Sequence, residues 1–282
     1  LYIMQILKIK SIKKVDRTDR YDLTVNSTHN FFANGILIHN TSGISANVKI
    51  KHQIPGSLID KLLGRKKYIE EYHNFCTSRK VIQDPLLNER VSGFYGGSDK
   101  EGRRRIHESL FGDLPKGMSV YYEILGYWPN GTPIQGNWDY GCIPSVISWI
   151  HGQQFKVQVY RITYTNVDGA VYEFSARQVQ QYCFAHGWTP VEQLYYGYAK
   201  DLYPDLDVTN HWNENFLECL SKDKRFYMEM LSPTCIHKVP HEGIVVRNES
   251  LNIDVYKLKC FAFLNKEREQ LDSGEVDIEE LS

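Results

Sequence analysis

The first forty residues read as β structure. From Leu1 to Lys14 apolar and basic or polar residues interleave (Ile3, Gln5, Ile6, Lys8, Ile9, Lys10, Ile12), the pattern of a strand with one solvated face. Asp16 to Asp19 predicts a turn, Tyr21 to Val25 a second strand, and Asn26 to Thr28 a polar turn. His29 to Ile38 follows as a β-rich closing segment broken at Asn34-Gly35, a dipeptide that reaches positive φ cheaply and so suits a tight hairpin.

After Thr41 the rhythm becomes mixed. Strands are predicted at Gly43 to Lys51, Met118 to Gly126, Phe155 to Thr165 and Val171 to Phe174, and shorter ones at Gly243 to Arg247 and Val255 to Cys260. Helical spacing appears at Glu101 to Leu110, Ser175 to His186, Val191 to Lys200 and Asn213 to Leu220, and the chain closes in an acidic tail from Asp272 to Glu280. The predicted class is α+β: a small all-β piece over residues 1–40, then a mixed antiparallel-sheet domain over 41–282. No internal repeat or low-complexity segment stands out.

Composition narrows the chemistry. With 282 residues, a 42% hydrophobic fraction and ten prolines, the chain can bury a core of one or two domains. A formal charge of -1 argues against a wholesale basic nucleic-acid binder, so any site for a polyanion has to be local. Six cysteines lie scattered at positions 76, 142, 183, 219, 235 and 260 without a CxxC pair, which fits a reduced, cytosolic setting. No apolar run approaches the roughly 20 residues of a membrane helix, and no cleavable signal pattern is visible, so no membrane partner is expected. Leu1 with Met4 just inside suggests either a fragment of a longer reading frame or a start at Met4.

The segment around Asn40 carries a definite chemistry. An asparagine amide can attack its own backbone carbonyl, forming a succinimide and cleaving the chain after itself. His39 beside it can hydrogen-bond that carbonyl or donate a proton to the departing amide, and His29 can assist as general acid or base. The Thr41 hydroxyl can accept an acyl group by transesterification, and a final acyl shift leaves a normal peptide bond. The runs Tyr21-Asp22-Leu23-Thr24-Val25 and His29 to Thr41 resemble the two C-terminal motifs of inteins, all-β splicing elements that share their fold with hedgehog autoprocessing domains. By this resemblance Asp22 is a supporting acid, and splicing needs no cofactor. An intein also needs an N-terminal cysteine or serine nucleophile and an upstream Thr-x-x-His motif, neither of which precedes Met4. The expectation is therefore the C-terminal half of a split intein whose N-terminal half is carried by a separate chain.

Beyond Thr41, charged residues sit inside apolar strands: Thr77-Ser78-Arg79, Tyr121-Tyr122-Glu123-Ile124, Val159-Tyr160-Arg161-Ile162, Glu242-Gly243-Ile244-Val245-Val246-Arg247 and Tyr256-Lys257-Leu258-Lys259. Burying a charge without a partner is costly, so such positions are candidates for a lined groove. Lysines that neutralise phosphate and carboxylates that hold a metal or ribose would suit a nucleoside triphosphate with Mg²⁺. The order and wording of these strands resemble the covalent nucleotidyltransferases, an ATP-grasp-like ligase superfamily of RNA ligases, DNA ligases and capping enzymes. Thr41-Ser42-Gly43 and the Tyr160 to Gly169 stretch look more like the phage-type RNA ligases. The resemblance implies that Arg79 contacts the ribose or transferring phosphate, Glu123 binds the ribose and Tyr160 stacks on adenine. It makes Glu242 a metal-binding residue, places Lys257 and Lys259 at the α-phosphate, and names ATP and Mg²⁺ as cofactors and RNA ends as partners.

Members of that family attack ATP with a lysine in a Lys-x-(acid or His)-Gly motif followed directly by a small hydroxyl residue like Thr41. Here intein-like residues precede Thr41, so the insertion falls inside the motif. The expectation is a precursor that splices in trans to recover its lysine, then seals 3′-hydroxyl and 5′-phosphate RNA ends through lysine-AMP in a bacterial or phage-infected cytoplasm. The alternatives are a nucleotide- or RNA-binding remnant without ligase activity, and a DNA ligase, which the short tail after Lys259 disfavours. Arg103-Arg104-Arg105 with Lys100 reads equally as an RNA contact or a solvated helix face, and Cys235, His237 and His241 read as structural.

Overall fold

The computed structural model describes residues 31–33, 36–38, 43–57, 60, 62–77, 82–83, 106–128, 131–144, 154–226, 231–249 and 253–272. In chain order the first strands are β1 (Phe31–Ala33), β2 (Ile36–Ile38), β3 (Gly43–Ile54), β4 (Lys67–Thr77) and β5 (Ile82–Gln83). A π-helical turn (His107–Phe111) precedes β6 (Met118–Gly126), β7 (Phe155–Thr165) and β8 (Val171–Glu173). Then come α1 (Ala176–His186), α2 (Ala199–Leu202), α3 (Trp212–Lys222), β9 (Gly243–Glu249), β10 (Ile253–Lys259) and α4 (Phe261–Asp272). The described residues fall into two compact units, one drawn from 31–38 and 194–226, the other from 43–193 and 231–272.

In the first unit β1 and β2 pair antiparallel, Ala33 opposite Ile36 and Phe31 opposite Ile38, while the Asn34-Gly35 turn predicted between them lies outside the described residues. Helix α3 covers the span predicted for Asn213 to Leu220 and runs slightly past it at both ends. The helix predicted at Val191 to Lys200 is confined to its last two residues and extends instead over Ala199–Leu202. Upstream, the Val191 amide bonds to the Val159 carbonyl, next to a bridge between Val159 and Pro190, and this sheet-edge pairing overrides a local helical preference that Gly197 already weakens.

The second unit is organised on a six-stranded antiparallel sheet in the order β5-β4-β3-β6-β7-β8. Its centre, β6, is buried along its whole length except for Glu123, which is half-buried. One face of β6 (Met118, Val120, Tyr122, Ile124) joins Val159 and Ile162 of β7, Phe111, and Val179 and Cys183 of α1 in the core. Each such aliphatic or aromatic side chain contributes about 1.5–3 kcal/mol when fully buried. Helix α1 starts where its sequence says it should: Ser175 accepts from the Gln178 amide while the Gln178 side chain caps the Ser175 amide, and Gly187 closes the helix at φ 68°. Of the helix predicted from Glu101 to Leu110, residues 107–110 fall in the π-helical turn, Ile106 caps it, and 101–105 lie outside the described residues. A separate antiparallel hairpin, β9 with β10, carries Tyr256 opposite Val246 and Lys257 opposite Val245.

Candidate active site

Register decides which side chains share the second face of the sheet. Ser119, Tyr121, Glu123 and Leu125 of β6 lie opposite Thr163, Arg161, Gln158 and Lys156 of β7, and Thr163 lies opposite Glu173 of β8. Apolar core occupies one side of these strands, and a row of charged and polar side chains occupies the other. The register slips between Tyr121 and Tyr122: Arg161 pairs with Tyr121 and Val159 with Tyr122, which leaves Tyr160 as the extra residue of a bulge. Bulges re-aim side chains, and this one sets the Tyr160 ring 6.4 Å from Tyr121, on which the Arg161 guanidinium also sits at 4.7 Å.

The β9–β10 hairpin is tied to this face by charge. Glu173 uses one carboxylate oxygen for Arg161 at 2.7 Å and the other for Arg247 of β9 at 3.1 Å. Arg247 also lies 3.0 Å from Glu249 and donates to the Phe174 carbonyl, while Glu249 accepts from the Ala176 amide in the first turn of α1. Arg161 is pushed above its ordinary value: burial works against its charge, but the Glu173 carboxylate and neighbouring tyrosines outweigh that.

At the start of the hairpin Glu242 and Lys257 meet at 2.6 Å. Gly243 makes this possible, since at φ 134° any Cβ would overlap the Leu258 carbonyl oxygen on the partner strand. Tyr140 completes the group, its hydroxyl donating to the second oxygen of Glu242 at 3.4 Å. Burial pushes the Tyr140 phenol well above its ordinary value, with Glu242, Cys235 and Glu123 adding to the effect, so both carboxylates act on one hydroxyl. Tyr140 stands at φ 49°, uncommon for a residue other than glycine, and its surroundings hold it there. Lys156 donates to its carbonyl at 2.8 Å, and the Asp139 carboxylate accepts from the amides of Gly141, Ile236 and His237. Gln135 lies 3.5 Å from Glu123.

Of the residues singled out in the sequence, Glu242 and Lys257 meet beside Tyr140, the Glu123 charge acts on the same phenol, and Tyr160 stands on the same sheet face as Glu123. Lys259 places its ammonium 5.2 Å from the centre of the Phe263 ring at the start of α4. Asp22, His29, His39, Asn40, Thr41 and Arg79 lie outside the described residues. The sequence reading missed Tyr140 and Lys156 altogether, although Asp139-Tyr140-Gly141 is a turn signal, and it assigned no role to Arg161, Glu173, Arg247 or Glu249. Among the described residues no three His, Cys, Asp or Glu side chains converge to hold a metal, and no helix is long and apolar enough to cross a membrane.

No family model matches the chain, and no solved structure matches it. Over 75 residues, 27% of its length, the chain is 39% identical to DNA polymerases of Thermococcus aggregans and Thermococcus litoralis, and 43% identical to that of Thermococcus hydrothermalis. It spans 3% of the first polymerase and 4% of the other two, so the similarity is to a short module within much longer proteins.

Proposed function

We propose that this chain is a splicing precursor. Residues 1–40 act as the C-terminal piece of an intein, and the rest is a nucleotidyltransferase that seals RNA ends with ATP once splicing has restored its lysine motif. Similarity confined to a 75-residue module of long polymerase chains is what a shared inserted element gives, and it supports the splicing half of the reading. In that half Asn40 cyclises, His39 and His29 move protons, Asp22 supports them, and Thr41 carries the acyl group before the final shift.

The ligase half rests on one observation above all: Tyr140, Glu242 and Lys257, distant in sequence, form one polar group, and the Glu123 charge acts on the same phenol. The donor set suits a triphosphate accompanied by Mg²⁺, which binds through one or two carboxylates together with substrate phosphates. Glu242 would serve that cation, Lys257 and Lys259 the α-phosphate, Glu123 the ribose, Tyr160 the base, and Arg79 the ribose or transferring phosphate. ATP would supply an activated adenylyl group, passed first to the restored lysine with loss of pyrophosphate and then to a 5′-phosphate. A 3′-hydroxyl would finally displace AMP.

The test mixes the chain with an N-terminal intein half fused behind a Lys-x-(Asp/Glu/His)-Gly sequence and follows intact mass with labelled ATP. Release of the Leu1 to Asn40 segment, with an adenylate on the new product and neither event in Asn40→Ala, is the expected result. Failure to cleave at Asn40 would remove the splicing half. Clean splicing without an adenylate would reduce the remainder to a nucleotide- or RNA-binding portion.

A further inference from the structure

Strand β3 pairs with β6 only from Gly43 to Ala46, whereas its pairing with β4 continues to Ile54 opposite Lys67. Beyond Ala46 the two strands therefore form a two-stranded ribbon, and residues 67–71 of β4 are all exposed. Lys49 lies opposite Tyr72 and Lys51 opposite Glu70, which puts these side chains on one face of the ribbon with Tyr68. Lys49 and Lys116 stand 5.9 and 5.4 Å from the Tyr72 ring centre, and Lys51 stands 5.4 Å from that of Tyr68. The aromatic rings hold the ammonium groups in place without neutralising them. The acid on this strand face, Glu70, stands 4.0 Å from Lys51 with both side chains more than half exposed, a contact worth little in water, and Asp168 is the second acid lining the adjoining pocket.

This face opens into a pocket of about 270 Å³ whose far wall is the Asn166–Gly169 turn. Arg65 and Lys66, both exposed, extend the basic character towards the ribbon tip. In a chain of net charge -1 this is a local concentration of cations, with same-face strand positions spaced about 6.8 Å apart, a repeat suited to successive phosphates of an extended strand. In a duplex the bases are already paired and stacked on one another, which keeps them from a protein ring. Tyr68, 48% exposed, has ring surface free for one.

We propose that this face of the β3–β4 ribbon docks single-stranded RNA, with Lys49, Lys51 and Lys116 on phosphates and a base stacked on Tyr68. The choice of RNA rests on the ligase reading above, while the docking surface itself rests on the ribbon. The experiment measures binding of a short labelled single-stranded RNA to the full chain by fluorescence anisotropy across a salt series. Lys49→Glu with Lys51→Glu is expected to weaken binding about tenfold or more at low salt and to flatten the log–log salt slope by about 1.4. Tyr68→Ala is expected to weaken it about tenfold. Lys49→Arg with Lys51→Arg should retain binding, and Lys222→Glu, on α3, should leave it unchanged. Wild-type affinity in the Lys49→Glu, Lys51→Glu chain, or equal affinity for duplex RNA, would overturn the proposal. ATP binding measured on the same variants separates the two readings: RNA binding through the ribbon without any ATP affinity removes the nucleotide site and leaves this surface standing.

Discussion

The ammonium of Lys257 lies 2.6 Å from the Glu242 carboxylate, and the two side chains remain 30% and 34% exposed. A pair this open gains little from Coulomb attraction once water screens it, about 0–1 kcal/mol. The proposed nucleotide site gives the pair a role apart from stability. Lys257→Ala is expected to cost less than about 1 kcal/mol in chemical denaturation while lowering ATP affinity at least tenfold by calorimetry. A large stability loss with unchanged nucleotide affinity would make the pair structural.

Removing the Tyr140 hydroxyl tests the other partner of Glu242. At 3.4 Å the bond is long for an O–H donor, so Tyr140→Phe should change stability by under about 1 kcal/mol but lower nucleotide affinity severalfold. The same residue gives a pH prediction. Burial and the nearby carboxylates hold its phenol well above 10.0, and burial together with Asp223 moves Tyr203 the same way. A phenol that ionises at its ordinary value when unfolded but later when folded leaves stability fully present below pH 10, and stability is lost as the pH climbs from there through the folded values. Ultraviolet titration should therefore show a late-ionising fraction of the tyrosines that shrinks in Tyr140→Phe. A titration in which every tyrosine ionises near 10 would contradict the environment described.

Glu173 is the clamp between the sheet and the hairpin. With one carboxylate holding Arg161 and Arg247, all three at 15–18% exposure, Glu173→Gln takes the counter-charge from Arg161 and leaves Arg247 with Glu249 alone. The expected loss is about 3 kcal/mol in urea denaturation, together with weaker nucleotide binding as the hairpin loosens. A loss under about 0.5 kcal/mol, the usual range of a neutral surface change, would mean that the hairpin is held by other contacts.

Gly243 is expected to tolerate nothing larger. Gly243→Ala places a Cβ against the Leu258 carbonyl and against φ 134°, so it should cost about 1–3 kcal/mol. Because the displaced backbone carries Glu242, nucleotide affinity should fall further than in an equally destabilised variant made in α3. Matching losses in the two variants would separate stability from the site.

Much of the secondary structure was legible because its causes are local. The β1–β2 pairing, the Ser175 and Gln178 capping box and the apolar runs of β6 and β7 are each specified by residues within a few positions of one another. Strand β4 was not seen, because its outer half is solvated on both faces and shows no alternation. Helix α4 was read as the approach to an acidic tail. The predicted helix at Val191 to Lys200 failed because a hydrogen bond to a distant strand outweighed local propensity.

The candidate site divides in the same way. Residue type and strand context single out Glu123, Glu242, Lys257 and Lys259 one by one, since a charge in an apolar run signals itself wherever it stands, whereas Tyr160 was named only by the family resemblance. Tyr140 stands in a turn and Lys156 near the start of β7, and neither looks unusual until the fold brings Tyr140 to Glu242 and Lys156 to the Tyr140 carbonyl. The sequence by itself determined most of the strands, β4 and β5 apart, and which of them carry charge, because period and turn chemistry act over a few residues. Only the tertiary structure decided the bulge at Tyr160, the double use of Glu173 and the meeting of Glu242 with Lys257 and Tyr140. Those depend on register and on contacts between residues as many as a hundred positions apart, and no local pattern encodes them.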